Sequence, residues 1–137
     1  MSVYLDTSVI VSFFIRDDHA DAARRWAATG PRIVTSDWTA TEFTSALAHH
    51  VRAGALSDRE RKVAELAFDR WVTGGLVLEV ERERFQEART LIHTHRRLRA
   101  PDALHLAIAR HAGLPLATLD RDLSDAALAE GLEVVAL

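Results

Sequence analysis

Val3-Tyr4-Leu5-Asp6-Thr7-Ser8 carries an apolar run straight into one carboxylate and two hydroxyls. Val3–Leu5 is expected to be a strand, and a strand that stops on an acid and two hydroxyls has more the character of a site than of a fold device. The residues that follow, Val9 to Ile15, are broken only by Ser12, so Ser8–Ile15 is expected to form a short helix buried nearly all round.

Working outward, Asp18–Ala28 reads as a helix carrying Trp26 and closed by Gly30-Pro31. Arg32–Thr35 is a second short strand. Phe43, Leu47 and Val51 recur at helical spacing within a helix from about Asp37 to Ala53. Ser57-Asp58-Arg59-Glu60 matches a capping box, opening a helix with Val63, Leu66 and Trp71 that ends before Gly74-Gly75. Leu76–Val80 is expected as strand three. A helix follows from about Glu83 to Arg97, and another begins at Pro101, a residue welcome in a first turn, and ends at Gly113. Leu114–Thr118, Asp120–Glu130 and Glu133–Ala136 complete the pattern as strand, helix and strand. Strands alternating with helices predict an α/β fold with a parallel sheet and helices on both faces. No linker, repeat or low-complexity tract interrupts it, so residues 1–137 are expected to form a single domain.

Composition narrows the function classes. The chain of 137 residues is long enough for a real core, and 48% hydrophobic with 27% charged residues is an ordinary globular balance. The apolar stretch at Val9–Ile15 is too short to span a bilayer, and no basic region precedes it, so neither a membrane span nor a signal peptide is expected. With no cysteine there are no disulfides and no thiolate metal sites, which fits a reducing cytoplasm. A net charge of −3 argues against nucleic-acid binding through bulk charge, yet not against an enzyme that meets phosphate through metal ions, because those ions reverse the local sign. Lys62 is the only lysine among 17 basic residues; arginine forks suit phosphate partners, although a GC-rich genome accounts for the same bias.

In open parallel sheets, ligands gather beyond the carboxyl ends of the strands. Asp6 follows strand one and Asp120 follows strand four, so both project from that edge. Asp102 stands in the first turn of its helix and Glu42 in the first or second turn of its own, so both can face the same cleft. Four carboxylates brought together raise one another's pKa values, and hard divalent cations such as Mg²⁺ or Mn²⁺ remove the conflict. Ions held this way polarise a phosphoryl oxygen and make a hydroxide nucleophile near neutral pH, which is the chemistry of phosphodiester hydrolysis. Thr7, Ser8 and Thr118 are placed to orient the carboxylates or their waters.

Each acid also has a plainer role. Asp6 serves equally as a helix N-cap. Thr39-x-x-Glu42 is a capping-box pattern, and for Glu42 alone capping is the simpler role. Asp102 complements a helix dipole. Asp120 caps the last helix, and Asp122 competes with it as fourth acid. The coincidence of four at one edge outweighs each taken singly.

Other constellations are weaker. No His-Glu-x-x-His pattern accompanies the seven histidines, and His49 and His50 are expected on different sides of their helix. His105, one turn beyond Asp102, is read as structural or as orienting that carboxylate. Arg96, Arg97 and Arg99 form the densest basic run just before Asp102. A helix C-terminus favoured by the dipole and a phosphate clamp beside the acids explain it equally well. Trp26, Trp38 and Trp71 are assigned to the core or an interface.

Tyr-Leu-Asp-Thr-Ser at Tyr4–Ser8, Thr-Glu-Phe-Thr-Ser-Ala-Leu around Glu42, Leu-Arg-Ala-Pro-Asp-Ala-Leu-His-Leu-Ala at Leu98–Ala107 and Ala-Thr-Leu-Asp-Arg-Asp-Leu at Ala117–Leu123 together resemble PIN domains. More narrowly, the chain resembles the VapC-type toxins of bacterial toxin–antitoxin pairs, over essentially its whole length. The resemblance implies a three-layer α/β/α fold around a parallel sheet of about four to five strands. It implies an Mg²⁺- or Mn²⁺-dependent endoribonuclease, cytoplasmic, commonly a homodimer, and restrained by a cognate VapB-type antitoxin whose tail lies in an apolar groove near the first helices. The family's acidic site maps onto Asp6, Glu42, Asp102 and Asp120, with Ser8 and Thr118 at the supporting hydroxyl positions. Pro101 departs from the family's usual residue. Asp6 and Asp102 are then expected as principal metal ligands, Glu42 as a ligand or water-mediated base, and Asp120 as a ligand for a second ion. From a different class, a PIN-like module that binds RNA or protein without turnover accounts for the same residues. Receiver and haloacid-type phosphatase domains fall behind, since Lys62 lies mid-helix and Ser8 stands where the phosphatase pattern needs a second Asp.

Overall fold

Ser2–Leu5 (β1) is the middle strand of the sheet, and its placement follows from having no polar face. Val3, Tyr4 and Leu5 are fully buried, as a strand covered on both sides requires. The structure, a computed structural model, describes residues 1–137. Arg32–Ser36 (β2) and Leu116–Ala117 (β4) flank β1, with Leu76–Leu78 (β3) and Val134–Val135 (β5) at the edges, giving the order β3-β2-β1-β4-β5. Every pairing is parallel: Tyr4 stands opposite Val34 on one side and Leu116 on the other.

Seven helices cover the sheet: Thr7–Phe14 (α1), Ala20–Ala27 (α2), Asp37–Arg52 (α3), Asp58–Thr73 (α4), Arg82–Thr94 (α5), Ala100–Ala112 (α6) and Arg121–Ala129 (α7). Alternate residues of β1 serve opposite faces. Val3 and Leu5 pack with α1 to α4 through Val9, Ile10, Phe43 and Phe68, whereas Tyr4 packs with α5 to α7 through Leu91, Leu104 and Leu123. The result is the expected three-layer α/β/α sandwich, with five strands. On the first face Phe43 and Phe68 stack with ring centres 4.2 Å apart, and Phe14 meets both edge-on. On the second, α6 is buried without interruption from Ala103 to Ala109, which explains a sequence apolar on every side.

Local signals hold where a side chain acts on its own backbone. The capping box forms: Ser57 Oγ accepts from the Glu60 N–H at 3.1 Å, and Glu60 accepts from the Ser57 N–H at 2.7 Å. Pro101 stands in the first turn of α6. Gly113 ends that helix with φ +65°, a left-handed conformation natural to glycine, and the Leu114 N–H returns to the Ala109 carbonyl.

Boundaries differ where tertiary contacts intervene. Strand three stops at Leu78 rather than Val80, because the Val80 N–H turns to the Asp37 carboxylate at 3.2 Å. The fourth strand is only Leu116–Ala117, since Thr118 is drawn toward Asp6. Helix α5 ends at Thr94 rather than near Arg97, its cap His95 being extended. In α4 the buried residues are Ala64 and Phe68, while Val63 and Leu66 face solvent. No helix is long and apolar enough to cross a membrane.

Replacing Phe43 by alanine removes one ring of the stacked pair from a fully buried position. The expected loss is about 3–5 kcal/mol of folding stability, read from the shift of the urea unfolding midpoint at unchanged slope.

Candidate active site

Asp6 is 3% exposed at the end of β1. A carboxylate taken out of water needs hydrogen bonds to stay ionised, and it has them from three directions. Ser8 Oγ donates to Oδ1 at 2.6 Å, Thr118 Oγ1 to Oδ2 at 2.6 Å, and the Val9 N–H to Oδ1 at 3.3 Å. Asp6 is thus the N-cap of α1 and a member of the cleft at once. Burial pushes its carboxyl up, against the lowering influence of His105 and the two hydroxyls. Ser8 and Thr118 are held in turn: Ser8 Oγ accepts from the Leu119 N–H at 3.0 Å, and Thr118 Oγ1 from the Asp120 N–H at 3.0 Å.

Asp6, Glu42, Asp102 and Asp120 all line one cleft of about 670 Å³ at the carboxyl edge of the sheet. Asp120 caps α7, with Oδ1 accepting from the Leu123 N–H at 2.8 Å, and still faces the cleft. Asp122 instead lies 3.8 Å from Arg97 and does not line it. Asp102 is pushed up to about 6, first by burial and then by the neighbouring Asp120, with Arg99 partly offsetting both and Asp6 adding a smaller push. Arg99 spans the pair, its Nε 3.5 Å from Asp102 and its Nη2 3.7 Å from Asp120. Of the arginine run, only Arg99 reaches the cleft; Arg96 and Arg97 point to solvent, because the chain has already left α5 in an extended turn.

Glu42 is no capping residue. Helix α3 starts at Asp37, which puts Thr39 inside it, buried and bonded to Thr35 Oγ1 at 2.7 Å. Glu42 turns to the cleft instead, accepting from Thr7 Oγ1 at 2.8 Å and sharing a close hydrogen bond with His105 Nε2. An ionised carboxylate only accepts, so Nε2 donates to it, while Nδ1 on the other side of the ring lies 2.8 Å from the Tyr4 hydroxyl. The Tyr4 hydroxyl also lies 3.0 Å from Ser36 Oγ. Burial pushes Glu42 up, but the bonds from His105 and Thr7 outweigh it and hold the carboxyl below its ordinary value.

Sequence reasoning missed Tyr4 and Ser36 as members of this relay, and gave His105 a lesser part. The available signal was His105 itself, a polar ring in the otherwise apolar interior of α6. It also missed the far wall of the cleft, where His19, His49, His50 and Arg52 stand. His49 and His50 were expected on different sides of the helix; their rings lie 6.3 Å apart and both border this opening. The three tryptophans pack against the two cores and none lines the cleft.

No three acidic or histidine side chains stand close enough together to ligate one ion as they are. The donors nevertheless suit a hard divalent cation: the cleft offers carboxylate oxygens and no sulfur. The raised Asp102 beside Asp120 marks uncompensated negative charge where such an ion would be held. Asp6, Asp102 and Asp120 fit that role, and Glu42, whose bonds from His105 and Thr7 both fall on Oε1, keeps Oε2 free for it.

The model of the PIN domain family matches residues 3–128. Ribonuclease VapC46 of Mycobacterium tuberculosis is 31% identical, covering 98% of this chain and 97% of its own length. Among solved structures, M. tuberculosis VapC20, described as a sarcin–ricin loop cleaving toxin, superposes with a TM-score of 0.76 at 25% identity, covering 98% of this chain and 99% of the other. VapBC-5 of M. tuberculosis, a member of the VapBC family of toxin–antitoxin systems, gives 0.64 at 27%, with 99% and 98% covered.

The raised Asp102 has a consequence for stability. Its carboxyl titrates near 6 in the folded chain and near 4 in an unfolded one, so the folded state binds the proton more tightly, and stability falls as pH rises through that window. At about pH 7.5 in chelator, Asp102→Asn is therefore expected to be more stable than the parent by on the order of 2 kcal/mol. The difference should vanish below about pH 4, where the carboxyl is protonated in both states. Chemical denaturation across that pH range measures it, and a less stable Asn variant at neutral pH contradicts the electrostatic account.

Proposed function

The chain belongs to the PIN domain family, and from that premise we propose that it is a metal-dependent endoribonuclease of the VapC type, the toxin of a toxin–antitoxin pair. The observation that carries this reading is the convergence of Asp6, Glu42, Asp102 and Asp120 on one cleft at the carboxyl edge of the sheet. The resemblance to a VapC ribonuclease and to an RNA-cleaving VapC toxin along nearly the whole chain supports it.

Asp6, Asp102 and Asp120 would hold Mg²⁺ or Mn²⁺, which when bound supplies Lewis-acid polarisation of a phosphoryl oxygen and an acidified water. The chain's own groups divide the remaining work. Ser8 and Thr118 fix the rotamer of Asp6, so the ligand does not have to be ordered when the substrate arrives. Glu42, kept ionised by His105 and Thr7, would take the proton of the attacking water as the new P–O bond forms and the bond to the leaving ribose oxygen breaks, that oxygen gaining its proton from solvent water in the open cleft. Tyr4, anchored against Ser36, holds the His105 ring in the orientation that donates to Glu42. Arg99, mostly exposed and loosely paired, is free to turn from the acids to an incoming phosphate.

The same reading assigns residues 1–137 to a single PIN domain, acting in the cytoplasm as a homodimer with RNA as substrate and a VapB-type antitoxin as inhibitor. The likeness to a VapBC toxin–antitoxin system supports the antitoxin.

Incubation with total cellular RNA and Mg²⁺ or Mn²⁺ is expected to yield discrete products that a chelator abolishes. Asp6→Asn should lower the rate on the order of a hundred- to a thousandfold, with an unchanged far-ultraviolet circular dichroism spectrum. Binding of RNA without cleavage under either metal would instead identify a catalytically silent binding module.

A further inference from the structure

The acids occupy only part of the cleft. Along α3, Glu42, Ser45, His49 and Arg52 follow one another at spacings of three and four, and all border the opening. With a rise of about 1.5 Å per residue, this stripe extends the cleft on the order of 15 Å beyond Glu42. The chemistry changes sign along it. The near end holds the acid cluster; the α3 end presents His49, His50 and Arg52, and His19 also borders the opening. Arg52 is exposed and makes no ion pair within the chain, whereas Arg99 lies 3.5 and 3.7 Å from Asp102 and Asp120. The one acid there, Asp17, already accepts from Ser12 Oγ at 2.8 Å and from the His19 N–H at 2.9 Å.

We propose that this far wall is a subsite for single-stranded RNA flanking the bond that is cut, with Arg52 seating a backbone phosphate and His49 stacking on a base. The inference rests on the ribonuclease reading and deepens it. The fork of Arg52 suits a phosphate, and imidazole rings serve as stacking platforms for unpaired bases. Successive phosphates of a stacked strand are about 3.4 Å apart along the axis, so the stripe spans at most about four nucleotides from the acids, and fewer in an extended strand. The subsite therefore engages an oligonucleotide but is out of reach of a dinucleotide.

The test uses labelled RNA of two and of ten nucleotides with the Asp102→Asn protein in Mg²⁺, alone and combined with Arg52→Ala or His49→Ala, read by fluorescence anisotropy and not by turnover. Arg52→Ala is expected to weaken binding of the longer RNA about tenfold, as for loss of one charge-assisted hydrogen bond, and to leave the dinucleotide unchanged. The slope of log affinity against log salt should fall by about 0.7, for one phosphate contact on a single strand, and Arg52→Lys should recover most of that slope. His49→Ala should weaken the longer RNA to a similar degree with no change of slope. Equal loss at both lengths, or no loss at either, overturns the subsite. Length-dependent loss in a protein whose parent cleaves nothing under any metal keeps the subsite and removes the nuclease. Metal-dependent cleavage with no dependence on Arg52 or His49 does the reverse.

Discussion

Everything at the carboxyl edge of the sheet depends on keeping one charge out of water. Asp6 sits where β1 ends, and an ion there is tolerable only while its hydrogen bonds are made. Those bonds come from Ser8, Val9 and Thr118, so a single carboxylate starts helix α1 and ties the central strand to the segment after β4. That segment delivers Asp120, and the Leu119 N–H closes the loop back onto Ser8. The acid is therefore part of the fold's seam as well as of its cleft. The geometry of a strand-to-helix turn lets it cap α1 and line the cleft together.

The two halves of the cleft differ in how their charge is balanced. Around Glu42 the compensation is internal: His105 and Thr7 hold it ionised, and Tyr4 and Ser36 hold His105. Around Asp102 it is incomplete, since an exposed arginine at 3.5 Å is a weak partner. One side is compensated within the chain and the other only in part.

The sheet, its parallel sense and the positions of Asp6, Asp102 and Asp120 were legible in the sequence, because each is a local event: an apolar run, a helix start, a proline or glycine. Glu42 was legible as an acid facing the cleft, and the helix start expected near Asp37 is the one observed; its bond to His105, 63 positions away, is not written in any local pattern. The Tyr4–His105 bond joins residues 101 positions apart, and no local spacing encodes it. The surface of α4 misled for a similar reason: Val63 and Leu66 carry the helical period, yet the ring of Phe43 selects Phe68 and Ala64 as the buried side. Which of two apolar stripes turns inward is decided by the partner.

The strand order has a bearing on when the cleft comes into being. Among the five strands β1 comes first in order and is central, whereas its neighbour β4 comes fourth, after six of the seven helices. A growing chain can assemble β1, β2 and α1 to α4 around Phe43 and Phe68, with Asp6 and Glu42 in place, while Asp102, His105, Thr118 and Asp120 are still to be made. Through that interval Asp6 lacks Thr118, and Glu42 lacks His105. The cleft is thus complete only once the segments carrying α6, β4 and α7 are in place.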